Sequence, residues 1–332
     1  MNGASAPRFQ ATTVAIYALT VVIWGSTWIM MKFQLGTVAP SASLAYRYFL
    51  AGVLVLIGAT IAGKKTWLRP DEQMWCALQG ALMFSVNYWL TYLAAAHLTT
   101  GIVSVFFAGV SAMTMLIALF LYRRIPSGRA FLGACLGVAG TALVFWPEVA
   151  GLPLDGPKVT SGLLVTASVF LFACGGLVGA RNLGAGIPRY ATIGWSMVWG
   201  GLWMVIVTTL RGEAFGFETS VEYVASLLWL IFLGSGLVFV LYFILIERIG
   251  PERAAYATVM FPLVALVIST FAEGYDWPLL ALVGVPLALI GNALVLWEGQ
   301  ASPAPGRSTP EQSEAVEWPI NVVELPQRES GV

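Results

Sequence analysis

The sequence predicts an all-α integral membrane protein whose ten transmembrane helices form two inverted five-helix repeats. Hydrophobic residues make up 58% of the 332 residues and charged residues only 10%, and the mean hydropathy is +0.81. A soluble chain carries charge at about a quarter of its positions. Apolar runs of about 20 residues, enough to cross a bilayer core of about 30 Å, recur along the chain. The two halves of the chain also resemble each other.

The apolar runs mark ten candidate spans, at residues 13–34, 42–63, 74–96, 101–122, 130–147, 160–181, 190–210, 224–246, 252–272 and 278–297. The first run is too long for the apolar region of a signal peptide. Five prolines and several glutamates after residue 298 predict a disordered cytoplasmic tail, residues 299–332. The three cysteines show no metal or disulfide spacing and are interpreted as small packing residues.

Orientation follows from the distribution of lysine and arginine. With the N-terminus in the cytoplasm, 13 of the 17 basic residues fall in cytoplasmic segments, and Lys32, Lys158 and Arg211 fall in outer loops. The remaining one, Arg47, lies inside the second span. Because basic residues accumulate in cytoplasmic loops, both termini are expected in the cytoplasm of a multi-pass protein of the inner (plasma) membrane.

An internal repeat relates the two halves. The stretch "LGACLGVAGTALVFW" (132–146) aligns with "LVGVPLALIGNALVLW" (282–297), and Ser85 matches Ser235 at an offset of 150 residues. Each repeat, 13–147 and 160–297, contains five spans. Since five is odd, the second repeat enters the membrane from the opposite side, a construction common among secondary transporters. The substrate site is then expected near the midplane between the halves, with alternating access.

Several stretches resemble a known family. These are "WGSTW" in span 1, "YRYFLAG" in span 2, "AAAHLTTGIVSVFFAGVSAMTMLIALFLYRR" across spans 3 and 4, and "ERIGPERAAYATVMFPLVALVISTFAEG" in the second repeat. Together they resemble the drug/metabolite transporter superfamily, EamA type, over about residues 13–297. The resemblance implies an exporter with a central cavity lined by spans 1, 3, 4, 6, 8 and 9. Exporters of amino acids, aromatic ones included, are the branch it matches best.

The WGSTW cluster is the first candidate for the cavity wall. Trp24 and Trp28 lie one turn apart in span 1, with Thr27 between them. We interpret the cluster as part of the wall between the repeats, with one tryptophan ring facing the pathway. The alternative is that both rings pack against neighbouring spans or lipid.

Spans 3 and 4 carry polar and aromatic residues at helical spacing. Ser104, Phe107 and Ser111 share one face of span 4, which favours cavity lining, although small residues also mediate helix packing in membranes. In span 3, an amide in hydrocarbon needs a polar partner, and aromatic faces bind cations. The candidates there are Ser85, Asn87, Tyr88 and Tyr92. An interhelical hydrogen bond is the alternative role for Asn87.

The second repeat contributes further candidates. Pro262 frees the backbone carbonyl of Thr258, four residues earlier, to accept a hydrogen bond. The first repeat has Ser111 and Ala112 where the second has Phe261 and Pro262, so unequal bending of the halves is expected. The second-repeat candidates are Ser168, Ser235, Tyr242, Tyr256, Thr258, Phe261 and Pro262.

The ionisable residues are expected at the membrane surface. Arg47 lies near the outer end of span 2 and is expected to snorkel to water, and His97 is expected at the outer surface. The carboxylates fall in loops, in the tail and at span ends. We therefore expect a cavity without a fixed counter-charge and transport that is not obligatorily driven by protons.

These observations predict an amino-acid exporter of broad specificity. A catalytic role is not favoured, because the chain has one histidine and no carboxylate deep within a span. No cofactor or metal is expected. The expected partners are a small-molecule substrate and membrane lipid, not nucleic acid, and the protein is expected to be a monomer. Export of drugs or other small metabolites is the alternative, ahead of a channel or a membrane scaffold.

Overall fold

The computed structural model describes residues 11–122, 128–150, 156–242, 244–245, 248 and 257–299, and the regular elements within them are helical. In chain order these are α1 (Ala11–Lys32), α2 (Pro40–Ile61), α3 (Pro70–Ala81), the π-helical π1 (Leu82–Val86), α4 (Asn87–Ala95), α5 (Thr100–Ala108), α6 (Val110–Tyr122), α7 (Gly128–Val149), α8 (Pro157–Gly184), α9 (Arg189–Leu210), α10 (Val221–Ile231), the π-helical π2 (Phe232–Leu237), α11 (Ala257–Glu273) and α12 (Leu279–Gly299). Helices α2, α3 and α8 begin with proline, whose missing N–H is not needed in a first turn.

Seven stretches of the described residues are long and apolar enough to cross a membrane. They are Ala11–Lys32, Pro40–Ile61, Thr100–Ile117, Gly128–Pro147, Pro157–Gly184, Arg189–Leu210 and Val221–Tyr242. Two shorter apolar helices follow, Met260–Glu273 and Leu279–Leu294. The structure thus supports an all-helical membrane protein, and the count of ten spans stays a prediction.

Three of the predicted spans are locally irregular. The span predicted at 101–122 is interrupted at Gly109, which separates α5 from α6. The span predicted at 74–96 is helical from Pro70 to Ala95 but contains π1. A second π-helical segment, π2, begins at Phe232, 150 residues after π1 begins at Leu82. The predicted matching pair Ser85 and Ser235 lies within these two segments.

The main helix pairs join the first half of the chain to the second. Helix α7 packs on α12, α2 on α9, α1 on α11 and α4 on α8. The contact of α7 with α12 depends on small residues, as is usual for helices in lipid. A Cβ at Gly140 would lie 2.3 Å from the backbone nitrogen of Ala288 and 2.6 Å from the carbonyl oxygen of Gly284. Neither backbone atom has room to move.

A pair of alanine substitutions on α7 tests this packing. Gly140→Ala should lower the free energy of unfolding by about 1–3 kcal/mol, since overpacking forces the helices apart. Gly137→Ala, one turn earlier, is the matched control: its Cβ would meet nothing within 4 Å, so the free energy should stay within about 1 kcal/mol of wild type. Thermal unfolding of both variants in detergent measures the difference. Equal destabilisation by both would contradict this account of the α7–α12 contact.

Candidate functional site

The WGSTW segment of α1 lies against the second half of the chain. A Cβ at Gly25 would be 2.6 Å from the Cβ of Val264, so the backbone of α1 touches α11 directly. The hydroxyls of Ser26 and Thr27 donate to carbonyls of the preceding turn of α1. The cluster's hydroxyl donors are therefore used within α1, whereas its tryptophan rings reach other helices.

Trp28 contacts rings of two other helices directly and reaches a third helix through Phe107. Its side chain is buried, with 8% exposure. The ring centroid lies 4.9 Å from that of Phe107 on α5 and 6.0 Å from that of Phe261 on α11, where the two rings stack. Phe107 in turn packs edge-on against Phe172 of α8 at 5.7 Å. Trp28 thus connects the first half to two helices of the second.

Trp24 begins a second line of rings, one turn earlier. It is half-buried, and its centroid lies 5.0 Å from that of Tyr242 and 6.0 Å from that of Phe239. Phe239 contacts Phe84 of π1 at 6.2 Å, and Phe84 contacts Tyr48 of α2 at 5.4 Å. These two lines, from Trp28 and from Trp24, form what we call the aromatic network. It draws rings from both halves of the chain.

Arg47 lies at the α2 end of the aromatic network. The prediction that it snorkels to water is wrong: its side chain is buried, with 3% exposure, seven residues or about 10 Å along α2 from Pro40. The guanidinium carbon lies 4.8 Å from the ring centroid of Tyr48 and 5.1 Å from that of Tyr88. Nε donates to the hydroxyl oxygen of Ser235 in π2, at 3.2 Å.

These contacts do not offset the cost of burying the charge of Arg47. Desolvation of an ion costs several kcal/mol even after relaxation, and a desolvated cation–π contact returns about 2 kcal/mol. Arginine does not escape by losing its proton. Among the described residues, no carboxylate forms an ion pair with it. Arg47 is therefore a fixed charge buried among the helices, contrary to the expectation that the ionisable residues lie at the membrane surface.

Asn87 and its neighbours form a buried polar group beside π1. The backbone carbonyl of Asn87 accepts hydrogen bonds from the hydroxyls of Thr91 and Ser168, both at 2.8 Å, and those hydroxyls lie 2.7 Å apart. The Asn87 side chain is fully buried, and both its amide nitrogen and its oxygen lack a hydrogen-bond partner. Each such group costs about 1–3 kcal/mol, so the unpaired amide makes Asn87 a candidate for contact with a ligand.

Some of the other predicted residues are described by the structure and some are not. Ser85 and Ser104 are buried and donate to carbonyls of their own helices, at 3.2 and 2.6 Å. Pro262 is buried within α11, and His97 is exposed as predicted. The residues outside the described part are Tyr256 entirely and Ser111 and Thr258 in their side chains.

One buried ionic contact was not predicted from the sequence. The carboxylate of Glu273, at the end of α11, forms an ion pair with Lys32 of α1 at 2.6 Å. It also accepts from the backbone N–H and the hydroxyl of Thr100, at 2.9 and 2.6 Å, and from the hydroxyl of Ser269 at 2.6 Å. The Glu273 side chain is 1% exposed. This carboxylate therefore ties together the ends of α1, α5 and α11.

Two more carboxylates hold the segment between α9 and α10 against the start of α2. Glu213 accepts from Ser41 at 2.5 Å, and Glu218 accepts from Thr37 at 2.7 Å. Hydrogen bonds from Ser41 and Arg211 hold the pKa of Glu213 below its usual range. The contact is accordingly stable at neutral pH and weakens as the pH falls through that lowered pKa.

A cavity of ≈ 400 Å³ lies apart from these residues. Its lining is mostly apolar and comes from α2, from Tyr190 at the start of α9, and from π2 and the residues after it, with Lys64 at its edge. None of the predicted site residues belongs to the lining. The cavity is therefore a separate feature from the aromatic network.

Comparison with known proteins identifies the family. The model of the EamA-like transporter family matches residues 12–146 and again 160–297. The chain belongs to the EamA-like transporter family. It is a membrane transporter, and members of this family are transporters rather than enzymes.

Several EamA relatives are similar over most of their length. The uncharacterised inner membrane transporter YedA of Escherichia coli K12 is 25% identical over 299 residues, which cover 88% of this chain and 94% of YedA. A probable terminal-alkyne amino-acid exporter of Streptantibioticus cattleyicolor is 27% identical, covering 88% of this chain and 98% of the relative. A crystal structure aligns with a TM-score of 0.63 at 14% identity, covering 89% of this chain and 100% of the other, which shows a shared fold.

Substitution of either partner tests the ionic contact at the end of α11. Glu273→Ala should lower the free energy of unfolding by about 3 kcal/mol, because four donors lose a buried carboxylate. Lys32→Ala should cost only about 1 kcal/mol, since Lys32 is 44% exposed and the other three donors still satisfy Glu273. Thermal unfolding of both variants gives the comparison. A larger loss for Lys32→Ala would show that the ion pair, rather than the hydrogen bonds, holds the helix ends together.

Proposed function

We propose that this EamA-family transporter exports amino acids of varied side chain, aromatic ones included, out of the cell across the inner membrane. The observation that carries the proposal is the aromatic network, which collects rings from both halves of the chain and ends at a buried guanidinium. Ligand sites combine apolar and aromatic walls with a few placed polar groups. Amino acids need both, because each has a variable side chain and a constant charged backbone.

The mechanism we propose is alternating access between two inverted five-helix repeats, residues 13–147 and 160–297. Two findings support it. The π-helical segments π1 and π2 occur at the same offset of 150 residues, and π segments are frequent at functional sites. The pairs α2–α9 and α7–α12 each join a helix to its counterpart in the other half. Such pairs allow the halves to rock about shared axes near a fixed site.

The orientation proposed for this mechanism places both termini in the cytoplasm. Lys32, Glu273 and the segment between α9 and α10 then lie on the outer side. Their hydrogen bonds join helix ends there, so the structure corresponds to a state closed toward the outside. Opening to release substrate requires these contacts to break or rearrange, and Glu273 keeps hydrogen bonds from Thr100 and Ser269 when the half-exposed Lys32 leaves it.

The amino-acid substrate is supported by the site and by one relative. The name of the Streptantibioticus cattleyicolor relative describes an amino-acid exporter, and the 27% identity leaves its substrate a proposal for this chain. The second candidate, export of drugs or other small metabolites, is favoured by the aromatic network taken alone. The buried polar atoms of Asn87 and Arg47 favour amino acids, because apolar drugs would leave them unpaired.

Transport by purified protein in liposomes tests the proposal. Labelled amino acids, a cationic dye and a nucleotide sugar are compared in counterflow, with and without an imposed pH gradient. We expect amino-acid exchange at similar rates in both conditions, since the carboxylates of the described residues lie at helix ends and in loops. Transport of dyes or nucleotide sugars with refusal of every amino acid would overturn the substrate. Concentrative uptake that follows the pH gradient would overturn the expected independence from protons.

Single alanine variants in the same assay test the site. Asn87→Ala, Tyr88→Ala and Tyr92→Ala should each slow exchange about tenfold or more, the equivalent of one lost polar or aromatic contact of about 1.4 kcal/mol. Their melting temperatures should fall much less. Phe271→Ala is the control, because that ring on α11 is 87% exposed toward lipid. Parallel losses of melting temperature and exchange in all three variants would favour a purely packing role.

A further inference from the structure

We infer that Arg47 is the binding site for the carboxylate of the transported solute, so that the protein selects molecules by a carboxylate group. This inference deepens the proposed function and rests on it for the route by which the solute arrives. It is new relative to the expectation from sequence, which placed Arg47 at the water interface.

In the part of the chain that the structure describes, Arg47 leaves most of its hydrogen-bond donors unused. A guanidinium carries five N–H donors in a planar fork. Among the described residues it donates one hydrogen bond, from Nε to Ser235. No hydrogen bond of regular geometry joins its two terminal nitrogens to an acceptor in that part of the chain, and the Tyr92 hydroxyl is the polar group near them. The geometry that they offer, two parallel N–H groups in a plane, is the one that binds a carboxylate in bidentate fashion.

The tyrosine hydroxyls around the Arg47 guanidinium also suit an anion. The Tyr48 hydroxyl is buried without a hydrogen-bond partner. The Tyr92 hydroxyl is close enough to Arg47 to interact with it electrostatically, although no hydrogen bond of regular geometry joins the two. Hydroxyl donors beside an arginine fork suit an anion with several lone pairs. A purely structural arginine would instead be expected to have its own carboxylate partner within the protein.

Arg47 also links binding of the solute to movement of the two halves of the chain. The hydrogen bond from Arg47 to Ser235 joins α2 of the first half to π2 of the second half. A carboxylate bound to the terminal nitrogens of the same guanidinium competes with Ser235 for its charge, so binding acts directly on this contact between the halves. Arrival of the solute and loosening of the α2–π2 contact are thus a single event at one side chain, which is what a transporter needs in order to move only when loaded.

Selectivity follows from the charge of Arg47. Because arginine stays protonated, cationic dyes and amines are repelled from the site, and neutral amides offer one acceptor oxygen but no negative charge to compensate the guanidinium. Solutes with a free carboxylate, zwitterionic or anionic, are accepted. Loss of one partner of a buried charge pair lowers affinity by about 30-fold or more. We therefore expect L-phenylalanine to bind at least that much more tightly than L-phenylalaninamide.

Ligand-induced thermal stabilisation of the full-length protein in detergent tests the inference. The probes are matched pairs, L-phenylalanine with L-phenylalaninamide and benzoate with benzamide, titrated against wild type, Arg47→Met, Arg47→Lys and Arg181→Met. The last variant is the control, since the Arg181 guanidinium carbon also lies over a ring, 4.0 Å from the centroid of Trp75, but the residue is only half-buried and lies in the last turn of α8.

The expected result is a preference for the acid of each pair in wild type and in Arg181→Met, and no preference in Arg47→Met. Arg47→Lys should keep a preference at least tenfold smaller, because lysine keeps the charge without the fork. It also provides a folded variant if Arg47→Met does not fold. The unliganded melting temperature of Arg47→Met should be no lower than that of wild type, since the variant removes a buried unpaired charge.

Each other outcome is decisive. Equal binding of acid and amide to wild type, an acid preference that survives in Arg47→Met, or no stabilisation by any carboxylate would overturn the role of Arg47. Carboxylate binding that depends on Arg47, together with liposomes that exchange no amino acid, would refute the proposed function and leave the carboxylate site standing. Exchange that accepts amides as well as amino acids would refute the carboxylate site and leave the proposed transport of amino acids standing.

Discussion

A permanently charged guanidinium enclosed by helices is the constraint on which the centre of this molecule depends. Within a bilayer, Arg47 has no water to solvate it, and the structure gives it two tyrosine rings and one serine hydroxyl. These partners come from α2, α4 and π2, so the arginine fixes the relative positions of three segments from both halves. The unsatisfied remainder of its hydrogen-bonding capacity is, in our account, the chemical basis of substrate recognition.

Close approach of backbones joins the two halves of the chain elsewhere in the bundle. Small residues let α7 meet α12 and let α1 meet α11 with almost no side chain between them, which is how helices gain contact in lipid, where burial of apolar surface drives nothing. The rigid pairs form the frame, and the irregular segments π1 and π2 lie between them. Ser85 of π1 and Ser235 of π2 are buried, whereas Phe232 and Leu237 of π2 are exposed, so one side of this irregular backbone faces the interior.

The sequence was sufficient for the membrane class, the family and several members of the aromatic network. Trp24, Trp28 and Phe107 stand out because a large ring next to small residues is unusual in an apolar run. Phe84 and Phe239 did not stand out, because the sequence of an apolar run does not distinguish a phenylalanine that faces lipid from one that faces protein. Only the packing of α2 and π2 distinguishes the two cases.

The burial of Arg47 and of Glu273 was missed for a related reason. Both lie within ten residues of a predicted span end, where a charged side chain normally reaches water. Their partners, Ser235 for Arg47 and Thr100 for Glu273, are more than 170 residues away in the chain. A signal for Arg47 was nevertheless present: an ionisable residue within a span is a functional candidate by default, and tyrosines flank it in "YRY".

The most direct test of the central claim is an electron cryo-microscopy structure of the transporter in a lipid nanodisc with a saturating amino acid. We predict ligand density between the two halves of the chain. The carboxylate of the bound amino acid should lie within hydrogen-bonding distance of the Arg47 guanidinium, and the rest of the amino acid should lie against the rings of the aromatic network. Ligand density in the apolar cavity between α2, α9 and π2, or an Arg47 side chain paired with a carboxylate of the protein itself, would contradict this prediction.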